Sequence, residues 1–351
     1  MLTTLPRLPA RLLLLLVLAL SWSITLHARD MGSWCRLSPG LPVVNSLQQR
    51  AIRQLDIPPS PLAHIHTEGS LPHQGIFDQS VKAKRDWLRM RDFALAWSAS
   101  ADPRLLQALA RYLDAWTESY QVSFNPIDET DLDALIDSYA ITARSLPAAT
   151  QQQTATFLRS MAQGYIQRIR QAKTPLSGTF IDNWNSHRIK LITLSAVALQ
   201  DEAMLKTAGE LYLQHIANNI SAQGETWDFQ ERDALHYVTY DLEPLVRAAI
   251  AARQAGESWL ERKGRQGGSL QQALDWLRPY AEGTLQHQEF GNSRVHFDYV
   301  RREAGLPGFA GSWQPATSRH LYALAARLSP AYRSPLLTGD STPDWIAQCW
   351  P

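Results

Sequence analysis

The chain has only two cysteines, Cys35 and Cys349, in 351 residues. Their spacing excludes a zinc site or a catalytic cysteine pair. A surplus of either charge is missing as well. The 34 Lys+Arg against 33 Asp+Glu leave a net charge of +1, which excludes a polybasic nucleic-acid binder and an acidic tail protein. Charged residues make up 19% and hydrophobic ones 45%, a balance that excludes a disordered chain. Eighteen Gly and twenty Pro are too few for a low-complexity or collagenous protein. Beyond the N-terminal region, no apolar run approaches the roughly 20 residues of a membrane span. No sequence repeat is visible, so a regular solenoid is not supported. No Gly-, Ser- or Pro-rich linker divides the chain, and residues 29–351 read as a single domain. Walker-type, GxGxxG, HExxH, CxxC and GxSxG motifs are all missing.

What is present begins with a targeting segment over residues 1–28. Arg7 and Arg11 supply the positive region, and an apolar stretch starts at Leu12. Cleavage is expected after Ser21 or Ala28, which places the mature protein in the periplasm or outside the cell. In such a compartment Cys35 and Cys349, near the two mature ends, are positioned to join the termini; the alternative is two unrelated thiols.

The remainder reads as all-helical. Trp87, Met90, Phe93, Ala94 and Trp97 fall on one helix face, as do Leu106, Leu109, Leu113, Trp116 and Tyr120 after the Asp102-Pro103 start signal. About ten helices follow from such patterns, including one beginning near Ile189 and one over 233–255. Short connections make consecutive helices antiparallel hairpins. Three long stretches, 57–80, 173–186 and 284–316, read as non-helical and rich in polar and aromatic residues, the composition of functional loops. Asn219-Ile220-Ser221 matches a glycosylation sequon.

Four constellations carry candidate chemistry. Asp182 to Arg188 gathers Asn183, Trp184, Asn185 and His187 at a helix N-terminus, a place that favours anions. Phe229 to Tyr240 contains Arg232, His236, Tyr237 and Tyr240, with Asp233, Tyr237 and Tyr240 at helical spacing. His64 to His73 reads as a substrate-lining loop through His66 and His73, or as an ordinary polar loop; no fixed spacing to a further ligand supports a metal there. In 292–302, Arg294 and Arg301 are candidate carboxylate clamps. No cofactor and no metal are expected.

These candidates are Tyr, His, Asn and Arg, without the paired carboxylates of a glycosidase. They suit elimination from a uronic acid. Amide, imidazolium or guanidinium groups would neutralise the C6 carboxylate and stabilise an enolate-like intermediate. A base would take the C5 proton and an acid would protonate the leaving O4. The twelve tryptophans suit sugar stacking along a cleft.

The sequence resembles the alginate lyase superfamily, closest to the polysaccharide lyase family 5 type. The resemblance rests on Trp116 followed by Asn125-Pro126-Ile127, on Asp182-Asn183-Trp184 to His187, and on Ala234-Leu235-His236-Tyr237. It implies an incomplete (α/α) toroid of five to six helical hairpins. It also implies that Asn183 and His187 neutralise the substrate carboxylate, that Tyr237 is the catalytic acid and base, and that Arg232 adds positive charge. Trp184 stands where the family has its His in a gapless register. The expected partner is an acidic, alginate- or polymannuronate-like polysaccharide, cleaved by β-elimination by a monomer, with no nucleic acid and no membrane beyond the signal segment. The rival readings are a non-catalytic polysaccharide-binding or export protein and a toroid glycoside hydrolase.

Overall fold

The computed structural model describes Trp34, Cys35, residues 37–339 and Cys349. The expected signal segment lies outside these residues. All the described residues belong to one compact unit, 33–351. Its helices are α1 Pro42–Ile52, α2 Phe77–Ser100, α3 Pro103–Ser119, α4 Leu132–Thr142, α5 Ala148–Arg170, α6 Asn183–Ala198, α7 Glu202–Asn219, α8 Trp227–Arg232, α9 Leu235–Gln254, α10 Leu270–Ala281, α11 His296–Glu303, α12 Arg319–Leu328 and α13 Pro335–Thr338. The described residues hold no strand, only two isolated β-bridges. The architecture is the expected all-α one, an α/α toroid of helical hairpins.

Local signals set the hairpins. Asp102 caps α3, its carboxylate accepting from Arg104 N, with Pro103 in the first turn. Asp201 caps α7 by accepting from Met204 N. Only Leu199, Gln200 and Asp201 separate α6 from α7, so the two helices fold back on each other. Helices α6 and α9 are buried on nearly every side and pack against one another more extensively than any other pair. They form the inner wall whose N-terminal ends carry the site.

The core is aromatic. Trp87 on α2 and Trp116 on α3 meet edge to face at 4.9 Å, a geometry worth about 0.5–1.5 kcal/mol beyond area burial. Trp116 Nε1 donates to the buried Asp86 at 3.0 Å. Trp87, Trp116 and Trp259 are sealed in the interior, so these tryptophans fill the core instead of offering faces to a sugar. On the far side, Arg247 of α9 donates to Asp137 of α4 at 2.8 Å, and Trp34 Nε1 donates to the same carboxylate at 2.6 Å. Cys35 and Cys349 form a disulfide across 314 positions of sequence.

Several boundaries differ from the sequence reading. Helix α6 starts at Asn183, not near Ile189, because the Asp182 carboxylate accepts from Trp184 N and caps it. The helix expected over 233–255 is α9, Leu235–Gln254; a separate helix, α8, precedes it, and the two are parted where Asp233 adopts φ 48°. Arg232 and Asp233 therefore do not share a helix with Tyr237. The stretch 284–316 contains α11. Asn219 of the sequon is buried and donates to Ile181 O at 3.0 Å, which closes it to glycosylation.

Candidate active site

A cleft of about 780 Å³ opens at the N-terminal ends of α6 and α9. One wall is a face of α2, with Phe77, Val81, Lys84, Arg85 and Leu88 at helical spacing. Thr67, Glu68, Gly69, Ser70 and Pro72 form the rim, and Val295, Phe297, Arg301, Leu306 and Phe309 form the opposite wall. Asn183, Trp184, Arg232, His236, Tyr237 and Tyr240 make the floor. Among the lining residues Lys84, Arg85, Arg232 and Arg301 outnumber the acidic Glu68 and Asp131, although Lys84 pairs with Asp131 at 2.9 Å and Arg232 with Asp298 behind the lining. A nearly neutral chain thus concentrates positive charge in one place.

At the centre is the Tyr237 phenol. Arg301 Nη1 donates to its Oη at 2.6 Å, and the Arg232 guanidinium lies 3.8 Å from the ring centroid. Both arginines are oriented by Asp298, at 2.5 Å from Arg232 Nη1 and 3.9 Å from Arg301 Nη1. Burial pushes the Tyr237 phenol above its ordinary pKa, while the two guanidiniums pull the other way. His236 is held neutral, pushed down to about 4 by burial and by the same two arginines.

Asn183 is oriented from behind. Asp228 accepts from its backbone N at 2.7 Å and from Nδ2 at 2.6 Å. Burial lifts Asp228 to about 6, against the pull of Arg232 and Asn183. Burial, with Asp228 nearby, lifts Asp182 to about 8. The first N–H groups of α6 are therefore occupied by Asp228 and Asp182. Those of α9 are occupied by Glu289, which accepts from Leu235 N and His236 N at 2.9 and 3.1 Å. The helix termini, expected to attract an anion, already have protein carboxylates. Recognition of an acidic ligand falls to the side chains.

Other candidates lie elsewhere. His187 is buried, with Nδ1 2.8 Å from Thr130 Oγ1 and its ring 4.5 Å from that of Tyr240. It stands behind the floor and does not line the cleft. Burial and Lys190 hold it neutral, well below its ordinary pKa, so it is no cation to neutralise a carboxylate. Asn185 points into the interior. His66 binds Asp128 at 3.0 Å, beside the rim. His73 pairs with Asp78 on the surface at 2.7 Å, and Arg294 pairs with Glu231 at 3.3 Å; neither lines the cleft.

Lys84 and Arg85 escaped the sequence reading. Their signal was a second apolar set, Phe77, Val81 and Leu88, off the core stripe of α2. Among the described residues, no group of three or more His, Cys, Asp or Glu could hold a metal ion.

The family model "Alginate lyase" matches residues 43–287. No protein of curated function matches the chain by sequence. Solved structures share its fold at low identity. An alginate lyase from Bacteroides ovatus is 14% identical, over 88% of this chain and 89% of its own, with a TM-score of 0.61. Alginate lyase A1-III from Sphingomonas species A1 is 14% identical, over 73% and 79%, with a TM-score of 0.52. A variant of A1-III complexed with tetrasaccharide is 14% identical, over 80% and 89%, with a TM-score of 0.55.

Proposed function

The chain belongs to the alginate lyase family, and from that premise we propose that this polysaccharide lyase cleaves an alginate- or polymannuronate-like polymer by β-elimination, with Tyr237 as its acid and base. The observation that carries the reading is one phenol held between two guanidiniums, Arg301 on its oxygen and Arg232 on its ring, in a cleft also lined by Asn183.

The chemistry runs as follows. Asn183, whose second Nδ2–H is not used by Asp228, and the cationic side chains of the cleft draw charge from the C6 carboxylate. This acidifies the C5–H bond. The Tyr237 oxygen takes the C5 proton in its phenolate form, which Arg301 and Arg232 stabilise against the burial that favours the phenol. The C4=C5 double bond forms as the C4–O4 bond breaks, and the same oxygen returns the proton to O4. A single oxygen serving both steps requires C5–H and O4 on one face of the ring, which favours mannuronate over its C5 epimer guluronate. His187 acts through Tyr240, against which it packs. Trp184 offers its ring to a sugar. We further propose a secreted or periplasmic monomer, with residues 1–28 as signal peptide and 29–351 as its one domain. No described helix is long and apolar enough to cross a membrane.

The test is incubation with polymannuronate, polyguluronate, mixed alginate and polyglucuronate. Unsaturated ends, read by ultraviolet absorbance, are expected from the wild type, fastest on polymannuronate. Tyr237→Phe should bind the polymer and lose turnover. Wild-type inactivity on all four, or full turnover by Tyr237→Phe, defeats the reading. Reducing sugar released without absorbance assigns a hydrolase instead.

A further inference from the structure

Behind the cleft floor lies a second polar cluster, in which Ser186, His215 and Asp241 are each completely buried. The Ser186 hydroxyl is 2.7 Å from His215 Nε2 and 2.5 Å from Asp241 Oδ1. These are the residue types of a hydrolytic triad, but a serine sealed in the core cannot reach a substrate. One hydroxyl proton also cannot serve two contacts, so one neighbour supplies the second. Burial holds His215 neutral, down to about 3, and pushes Asp241 well above the carboxylate range. His215 donating from Nε2 to Ser186, with Ser186 donating to Oδ1 of a neutral Asp241, satisfies both contacts without a buried charge.

The placement gives the cluster a use. Ser186 follows Asn183 by three residues on α6, and Asp241 follows Tyr237 by four on α9. Each sits about one helical turn, roughly 5 Å, behind a floor residue. From α7, His215 joins them, and Asn219 one turn further on donates to Ile181 O, beside the Asp182 cap. We propose that Ser186, His215 and Asp241 are positioning residues that lock α6 to α9 and so fix Asn183 relative to Tyr237. The proposal rests on the roles given above to those two residues.

The test uses Ser186→Ala and Asp241→Asn in the full chain. For Ser186→Ala, kcat on the polymer turned over by the wild type should fall about tenfold or more, because small misplacements of reacting groups are costly. KM should stay within about twofold, in protein that still melts cooperatively. Asp241→Asn, which keeps the size and the acceptor oxygen, should retain most of kcat. A second readout needs no turnover. The ionisation of Tyr237, taken as the ultraviolet difference between a protein and its Tyr237→Phe counterpart, should shift in Ser186→Ala as the phenol moves relative to Arg301. A lower Tm with kcat and this titration unchanged overturns the proposal. Should the wild type turn over no uronate polymer, the lyase reading fails and the titration alone decides the positioning role.

Discussion

Arg301 and Tyr237 are 64 positions apart in sequence, yet the guanidinium of one donates a 2.6 Å hydrogen bond to the phenol of the other. The bond stabilises negative charge on that oxygen, where the proposed reaction develops it. Arg301→Ala should therefore lower kcat by about 10²–10³, the usual cost of losing one preorganised donor. Arg301→Lys, a point charge without the planar fork, should recover part of it. Initial rates on polymannuronate check this, and an unchanged kcat removes Arg301 from the chemistry.

Asp228 takes two hydrogen bonds from Asn183. Asp228→Ala leaves a buried backbone N–H and one amide hydrogen unpaired, at a cost of about 1–3 kcal/mol in stability. It also frees the Asn183 amide to turn. Lower denaturant midpoints together with a lower kcat are expected. Reduced stability with undiminished kcat would show that the amide's orientation is immaterial.

Stability should decline on the alkaline side. Glu289 and Asp182 titrate at about 7 and 8 in the folded chain, well above the ordinary carboxylate range. A carboxyl raised in this way contributes fully below its unfolded pKa, and the contribution is lost as pH rises through the folded value. The histidines depressed by burial add no slope above about pH 6.5. Tm should fall between about pH 6.5 and 8.5, at most by the equivalent of about 1.4 kcal/mol per pH unit for each group. Asp182→Asn keeps the helix cap and should flatten this limb. A profile identical to wild type would remove Asp182 as its source.

Trp184 is the one tryptophan among the cleft-lining residues, with the Arg188 guanidinium 5.9 Å from its ring. Trp184→Ala should raise KM about three- to tenfold, the range expected for one aromatic contact, and leave kcat nearly intact. Kinetics that split the other way would place Trp184 in the reacting geometry.

Much of the scaffold was legible because helical periodicity is a strong signal where an apolar face is continuous, as along Leu109, Leu113 and Trp116 of α3. The start of α6 was not, because Asn183-Trp184-Asn185 has loop-like composition and one Asp182 cap outweighs it. Tyr237, Asn183 and Arg232 could be found from local motifs. Their mutual geometry could not. Arg232 reaches the Tyr237 ring because Asp233 breaks the helix at φ 48°, and Arg301 arrives from α11, which composition had marked as loop. His187 shows the converse. Its position in the motif suggested a catalytic group, but it lies one helical turn beyond Asn183 on nearly the same face, beneath the floor.

The bond between Cys35 and Cys349 closes 314 positions of backbone into a covalent ring. A protease that nicks one exposed surface segment, such as the cleft rim at Gly69-Ser70, would open the ring without producing two separable fragments. The nicked molecule would run as one species until a reductant was added, and an oxidised chain cut once would keep both its pieces at hand for reassembly.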